Sequence, residues 1–261
     1  MTSRALHLEN RAVIRLSGAD VRKFLQGLVT NDVMKAVAGV GVYAALLTPQ
    51  GKFMYDMIIM ADGDDLLLDV AADRKDELIR RLTMYKLRAA VTITDESGLK
   101  VWAVWADEAP DGIVAADPRD AALGYRVISA NMPGSDPLST ADYEHKRLAL
   151  GVPDSSRDIE VEKYFWLETD AERLNGVSFS KGCYVGQELT ARMKHRTTLK
   201  KKLVAVKAEG GRLEPGQEIT TADGKSAGEI RTTDGTHAIA FFRLEFTDAT
   251  LNAGTTSITL A

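Results

Sequence analysis

Disulfide chemistry is closed to this chain, because its 261 residues include a single cysteine, Cys183. A lone thiol cannot cross-link its own fold, and it fits a reducing compartment. Histidine is almost as sparse. His7, His145, His195 and His237 are scattered without metal-ligand spacing, so neither a self-contained zinc site nor an iron-sulfur cluster held by this chain alone is expected. No apolar run approaches the roughly 20 residues that cross a bilayer. Residues 1–10 mix Arg4, His7 and Glu9 with no signal-like stretch, so a cytoplasmic protein without a membrane partner is expected. A net charge of -4 and a pI near 5.7 argue against a general nucleic-acid binder.

What is present suffices for a substantial core. With 45% hydrophobic and 27% charged residues, the chain can build one large or two to three small globular domains. Ser17-Gly18-Ala19-Asp20 reads as a capping box feeding an amphipathic helix with Val21, Phe24, Leu25 and Leu28 on one face. Residues 40–48 and 52–60 read as a hairpin around Pro49-Gln50-Gly51, and Asp62-Gly63-Asp64-Asp65 turns into a buried strand over 66–71. Asp73 is expected to cap a second helix carrying Leu78, Ile79, Leu82 and Tyr85 on one face. Strands follow over 90–94 and 99–105, and Ser139 opens a third helix with Asp142 as its capping partner.

This order indicates an α+β fold with antiparallel sheets, since short turns between strands leave no room for crossover helices. Residues 151–175 form a long irregular segment whose Tyr164, Phe165 and Trp166 either line a pocket or pin the segment to the core. From residue 199 onward short β segments alternate with glycine turns, the pattern of a small β-barrel or sandwich. The expected boundary divides residues 1–198, with two interleaved α+β subdomains, from a barrel domain over 199–261.

The candidate chemistry gathers in residues 176–192. Cys183 stands where a short apolar strand is expected to pass into a helix, and both the helix dipole and Lys181 would favour its thiolate. The opposing reading, an inert buried thiol, has equal standing from the residues alone. Gln187 and Glu188 lie one turn further on, placed either to contact a bound molecule or to face solvent. Tyr184 reads as a stacking partner or as packing beneath the motif. Arg192, Lys194, His195, Arg196 and Lys200 to Lys202 make a basic run, either a solvated linker or an attractor for a ligand with several carboxylates.

The string Lys181-Gly182-Cys183-Tyr184-Val185-Gly186-Gln187-Glu188 resembles the signature of the YgfZ family, folate-binding proteins similar to the glycine cleavage T-protein, an aminomethyltransferase. Leu16 to Asp20, Phe24 to Gly27, Thr30-Asn31-Asp32-Val33, Pro49-Gln50-Gly51-Lys52 and Tyr85-Lys86-Leu87-Arg88 extend the resemblance over most of the chain. It implies a GcvT/YgfZ-like α+β fold, a three-part ring around a channel for tetrahydrofolate, with the C-terminal β-barrel closing it. It also implies a role in assembly, maintenance or repair of iron-sulfur clusters, with iron-sulfur client proteins or assembly factors as partners.

On this reading Cys183, Lys181 and Asp56 are the catalytic candidates, while Tyr184, Gln187, Glu188, Arg192 and Arg88 are the candidates for holding tetrahydrofolate. Lys194 is a further cation for the glutamyl tail. Two alternatives stay open. One is a folate-dependent aminomethyltransferase in which Asp56 orients the folate or takes a proton; the paired acids of the T-protein are here reduced to Tyr55-Asp56. The other is a non-catalytic scaffold that senses folate. The residues leave open whether any turnover takes place.

Overall fold

The computed structural model describes residues 3–261. Strand β1 (Arg4–His7) is followed by β2 (Arg11–Ser17), helix α1 (Val21–Gln26), β3 (Val42–Leu47), β4 (Phe53–Asp62), β5 (Asp65–Ala71), helix α2 (Lys75–Lys86) and β6 (Thr92–Asp95). All but β1 of these strands join one antiparallel sheet in the order β3-β4-β5-β2-β6. Strand β1 instead enters a second five-stranded sheet with β7 (Lys100–Trp105), β8 (Ile113–Ala116), β9 (Tyr125–Ser129) and β10 (Asp136–Pro137), ordered β10-β1-β7-β9-β8. Within it β1 and β10 are parallel and the other pairs antiparallel.

Helix α3 (Thr140–Ala149) leads into a long stretch without α-helix or named strand that ends at helix α4 (Gln187–Arg196). The chain then closes a six-stranded barrel from β11 (Lys201–Ala208), β12 (Glu218–Thr221), β13 (Ser226–Thr233), β14 (His237–Arg243), β15 (Leu251–Ala253) and β16 (Thr256–Leu260). The α+β expectation and the terminal barrel are both borne out.

The apolar runs in β3 and β4 have a direct cause, because both faces of their sheet are covered. Ala45, Leu47, Phe53, Ile58 and Met60 face Val101, Ala103 and Ile128 of the second sheet. Ala44, Leu46, Met57 and Ile59 face the helices through Leu25, Leu78 and Leu82. Successive strand residues point to opposite faces, so a doubly covered strand is apolar at nearly every position, the exception in β4 being the buried and paired Asp56. Each fully buried Leu or Ile adds about 1.5–3 kcal/mol. The Pro49-Gln50-Gly51 hairpin forms as expected, with the Gly51 N–H donating to the Thr48 carbonyl at 2.8 Å.

Two capping expectations fail while a third holds. Asp20 precedes α1 without capping it; its carboxylate accepts from the Ala90 N–H at 2.8 Å, a contact between segments far apart in sequence. Asp73 falls in a 3-10 turn, and Arg74 precedes α2 with no side-chain cap. Ser139 does accept from the Asp142 N–H, at 3.0 Å. The aromatic trio pins the irregular segment to the core. Trp166 stacks on Phe53, Tyr164 stacks on Phe241 of the barrel, and Phe165 lies under the Lys52 ammonium.

Candidate functional site

Between the two sheets runs a ladder of alternating charge that no local sequence pattern announces. The Asp56 carboxylate meets Arg11 Nη1 at 3.4 Å, Arg11 Nε meets Asp69 at 2.6 Å, and Asp69 meets Arg126 Nε at 3.5 Å. Arg126 Nη2 continues to Asp117 at 3.0 Å, and Arg119 grips the same carboxylate at 2.7 Å. Three carboxylates thus face three guanidiniums out of solvent, which is tolerable only because each charge has an opposite neighbour. Burial alone would raise the Asp117 pKa, but Arg119 and Arg126 outweigh it and hold the carboxyl well below its usual range.

The ladder forms one wall of a cavity of about 860 Å³, within the size range of small-molecule sites. Five arginines line it: Arg11, Arg119, Arg126, Arg147 and Arg157. Arg147 is tied to Asp158 at 3.2 Å and Glu144 at 2.9 Å, and Arg157 to Asp154 at 2.9 Å. Arg126 differs from these. It is buried, yet its Nη1 has no hydrogen-bond partner among the described residues, and its Nε meets Asp69 without forming a hydrogen bond. Both nitrogens are also out of reach of solvent, so this edge is a buried, unpaired donor behind the cavity wall.

Asp117 and Asp154 both sit below their ordinary pKa, the pull of neighbouring arginines exceeding the upward push of burial. Their stabilisation is therefore complete above about pH 4. It is lost as pH falls further, because the unfolded chain takes up the protons first. Urea unfolding at stepwise lower pH should show this acid limb, and Asp117→Asn should flatten it.

The cysteine lies elsewhere. Residues 176–186 are irregular, so the expected strand before Cys183 is not formed. The thiol stands four residues ahead of α4, outside the helix turn where the dipole acts, and it is exposed. Lys181 is buried and does not serve as a cation beside the thiol. Its Nζ donates to the carbonyls of Gln26 at 2.7 Å, Val29 at 2.6 Å and Asn31 at 2.9 Å. Burial pushes its pKa down to about 8, with Asp32 pulling the other way.

Further ties run from the same turn. Thr30 Oγ1 donates to the Gly176 carbonyl at 2.6 Å, and Asn31 Nδ2 to the Asn175 carbonyl at 2.6 Å. At the loop's other end Gly186, at φ +83°, packs against the hairpin turn so closely that a Cβ would lie 2.7 Å from the Thr48 carbonyl oxygen. The motifs around Thr30, Gly51 and Cys183 therefore converge to hold one exposed loop in place.

The structure divides the predicted site residues. Asp56 sits just behind the cavity wall; it accepts from Ser155 Oγ at 2.6 Å and Tyr43 Oη at 3.2 Å besides Arg11. Those donors orient the carboxylate and occupy most of its acceptor capacity. The five residues expected to hold folate lie away from the cavity. Tyr184 is packed in the core, Gln187 and Glu188 open α4, and Arg192 pairs with Glu188 at 2.7 Å on an exposed face. Arg88 is exposed just past α2. The residues that do line the cavity, Arg126 above all, were missed because isolated arginines on separate strands carry no motif. The one available signal was a charged residue inside the otherwise apolar run of β9.

Comparison with known proteins follows the same division. A family model for the C-terminal beta-barrel domain of CAF17 matches residues 200–261. The glycine cleavage system aminomethyltransferase T from Bartonella henselae shares the fold, with a TM-score of 0.72 over 99% of this chain and 85% of that one, at 11% identity. The mitochondrial iron-sulfur cluster assembly factor IBA57 of Mus musculus is 33% identical, over 91% of this chain and 77% of that protein. Its counterpart in Homo sapiens is 32% identical, over 89% and 75%. These relatives are named mitochondrial, which overturns the expectation of a cytoplasmic protein. Likeness of this extent over nearly the whole chain means that it belongs to the YgfZ-type family of the iron-sulfur cluster assembly factor IBA57.

Proposed function

We propose that this chain is an iron-sulfur cluster assembly factor that binds a reduced folate in the arginine-lined cavity and presents Cys183 to a partner protein. The observation that carries the reading is the exposure of the sole cysteine on a loop tied down at both ends. A thiol meant for a small molecule would face the cavity, whereas one meant for a macromolecule must reach the surface. With one cysteine, the chain supplies at most one thiolate to a transferred cluster, so the partner supplies the other ligands. Phe179 is exposed on the same loop, against Lys194 and His195 of α4, and offers apolar and cationic contact area to that partner.

The five arginines of the cavity outnumber its four carboxylates, Glu9, Asp73, Glu144 and Asp154, which leaves a cationic excess suited to the acidic end of a folate. Arg126 carries buried unpartnered N–H groups that a small shift of the wall would bring to a carboxylate, and Arg157, at the half-exposed rim and paired with Asp154 and Glu144, is placed to meet a second one. When bound, a reduced folate carries a one-carbon unit; the contribution of Arg126 and Arg157 is to bind and orient its acidic end. Support for the assembly role comes from the IBA57 relatives.

The test has two arms. Calorimetric titration with 5-formyltetrahydrofolate should give equal affinity for wild type and Cys183→Ser. Arg126→Lys, which keeps the charge between Asp69 and Asp117 but loses the planar fork, should bind about tenfold or more weakly. In cells depleted of the endogenous protein, Cys183→Ser should fail to restore iron-sulfur enzyme activity. Absence of binding by the wild type would sink the folate assignment, and full activity of Cys183→Ser would sink the thiol's role.

A further inference from the structure

Where α3 meets the barrel, a cluster of imidazoles and a carboxylate has no part in the cavity or the cysteine loop. His145 projects from α3 with an exposed ring, and its Nδ1 stands 2.7 Å from Asp234 Oδ2. Asp234 opens the turn between β13 and β14. Its Oδ1 accepts from the N–H groups of Thr236 at 2.8 Å and His237 at 2.7 Å, so the turn itself holds Oδ2 outward. His237, at the start of β14, aims Nδ1 at the same Oδ2 from 3.7 Å. That separation is too long for a hydrogen bond, and His237 Nδ1 is buried with no hydrogen-bond partner among the described residues. The two rings meet edge to face with centroids 4.9 Å apart.

From this geometry we infer that His145, Asp234 and His237 form a binding site for a zinc-class divalent cation, which clamps α3 to the barrel. One ligand atom from each of the three lies within 4.8 Å of the other two. Ligands about 2.0–2.1 Å from a tetrahedral zinc stand about 3.3 Å apart, and the separations of 2.7 Å and 3.7 Å bracket that value. An ion between them would give the orphaned His237 Nδ1 its missing partner and take the place of the ordinary hydrogen bond between His145 and Asp234. Two imidazoles and one carboxylate suit zinc or a neighbouring first-row ion, with the fourth position left to water on the exposed His145 side. The sequence hid this set, because His145 and Asp234 are 89 positions apart.

The experiment uses the full, untagged chain carrying Cys183→Ser, so that no thiol competes for metal. Stripped of metal and titrated with Co²⁺, it should bind one equivalent with visible ligand-field absorption, which Zn²⁺ then displaces. His145→Ala and His237→Ala should each weaken Zn²⁺ binding about tenfold or more. Asp234→Asn, which keeps the turn's acceptor oxygen, should do the same. Saturating Zn²⁺ should raise the melting temperature by about 5 °C in the Cys183→Ser protein and not in the His145→Ala variant. His145 is exposed, so its removal leaves folding intact. Failure of Co²⁺ and Zn²⁺ to bind, or affinity unchanged by all three substitutions, would reduce the cluster to an ordinary hydrogen bond between α3 and the barrel and overturn the assignment.

Discussion

Asp69→Ala should cost about 3–5 kcal/mol of folding stability, the largest loss expected of any single substitution in the charge ladder. Asp69 has no exposed surface and stands between two guanidiniums, Arg11 at 2.6 Å and Arg126 at 3.5 Å. Removing it leaves Arg11 with Asp56 alone and Arg126 with Asp117 alone, two under-compensated cations facing each other across the sheet interface. Most of the cost is the desolvation of the stranded charges rather than the worth of the pair itself. Urea unfolding at neutral pH measures it as a lower midpoint at unchanged slope. Glu188→Ala removes an equally short ion pair, but an exposed one, and should leave the midpoint within error. Equal midpoints for Asp69→Ala and wild type would mean that water enters the ladder freely.

Lys181→Met should cost about 3 kcal/mol and should also silence the exposed thiol without touching it. The methionine keeps the apolar stem but leaves the carbonyls of Gln26, Val29 and Asn31 without the donor that gathers them. Those carbonyls belong to the turn that holds the cysteine segment, so the loop should come loose even where the global fold survives. Amide hydrogen exchange over residues 176–186 should rise at least tenfold, and under the role proposed above for Cys183 iron-sulfur enzyme activity should fall with it. The proposed folate affinity should stay at the wild-type level, since Lys181 is not part of the cavity lining. Wild-type exchange rates in this variant would show that Thr30 and Asn31 suffice to hold the loop.

The two substitutions probe features of opposite legibility. The loop around Cys183 could be read from residues because a contiguous string carries its resemblance, and because glycines at tight turns are local signals. Even there the roles shifted on folding. Lys181 reads as a cation beside a thiol when only sequence neighbours are in view, yet its ammonium turns away to a segment some 150 positions earlier. The same distance effect explains Asp20 and Asp73. Both carry the local signature of an N-cap, and in the fold Asp20 instead satisfies an amide 70 positions away while Asp73 is absorbed into a 3-10 turn.

By itself the sequence determined the hairpins, the helix faces, the terminal barrel and the position of the one thiol, since each rests on periodicity or on residues within a turn of one another. Only the tertiary structure decided that this thiol faces solvent, that five arginines from distant segments share one cavity, and that two histidines meet at the barrel's edge. Charges and ligand atoms act through space over a few ångströms, and their partners leave no period along the chain. Their meeting depends on how two sheets, a helix and a barrel pack, which is a property of the whole fold rather than of any segment.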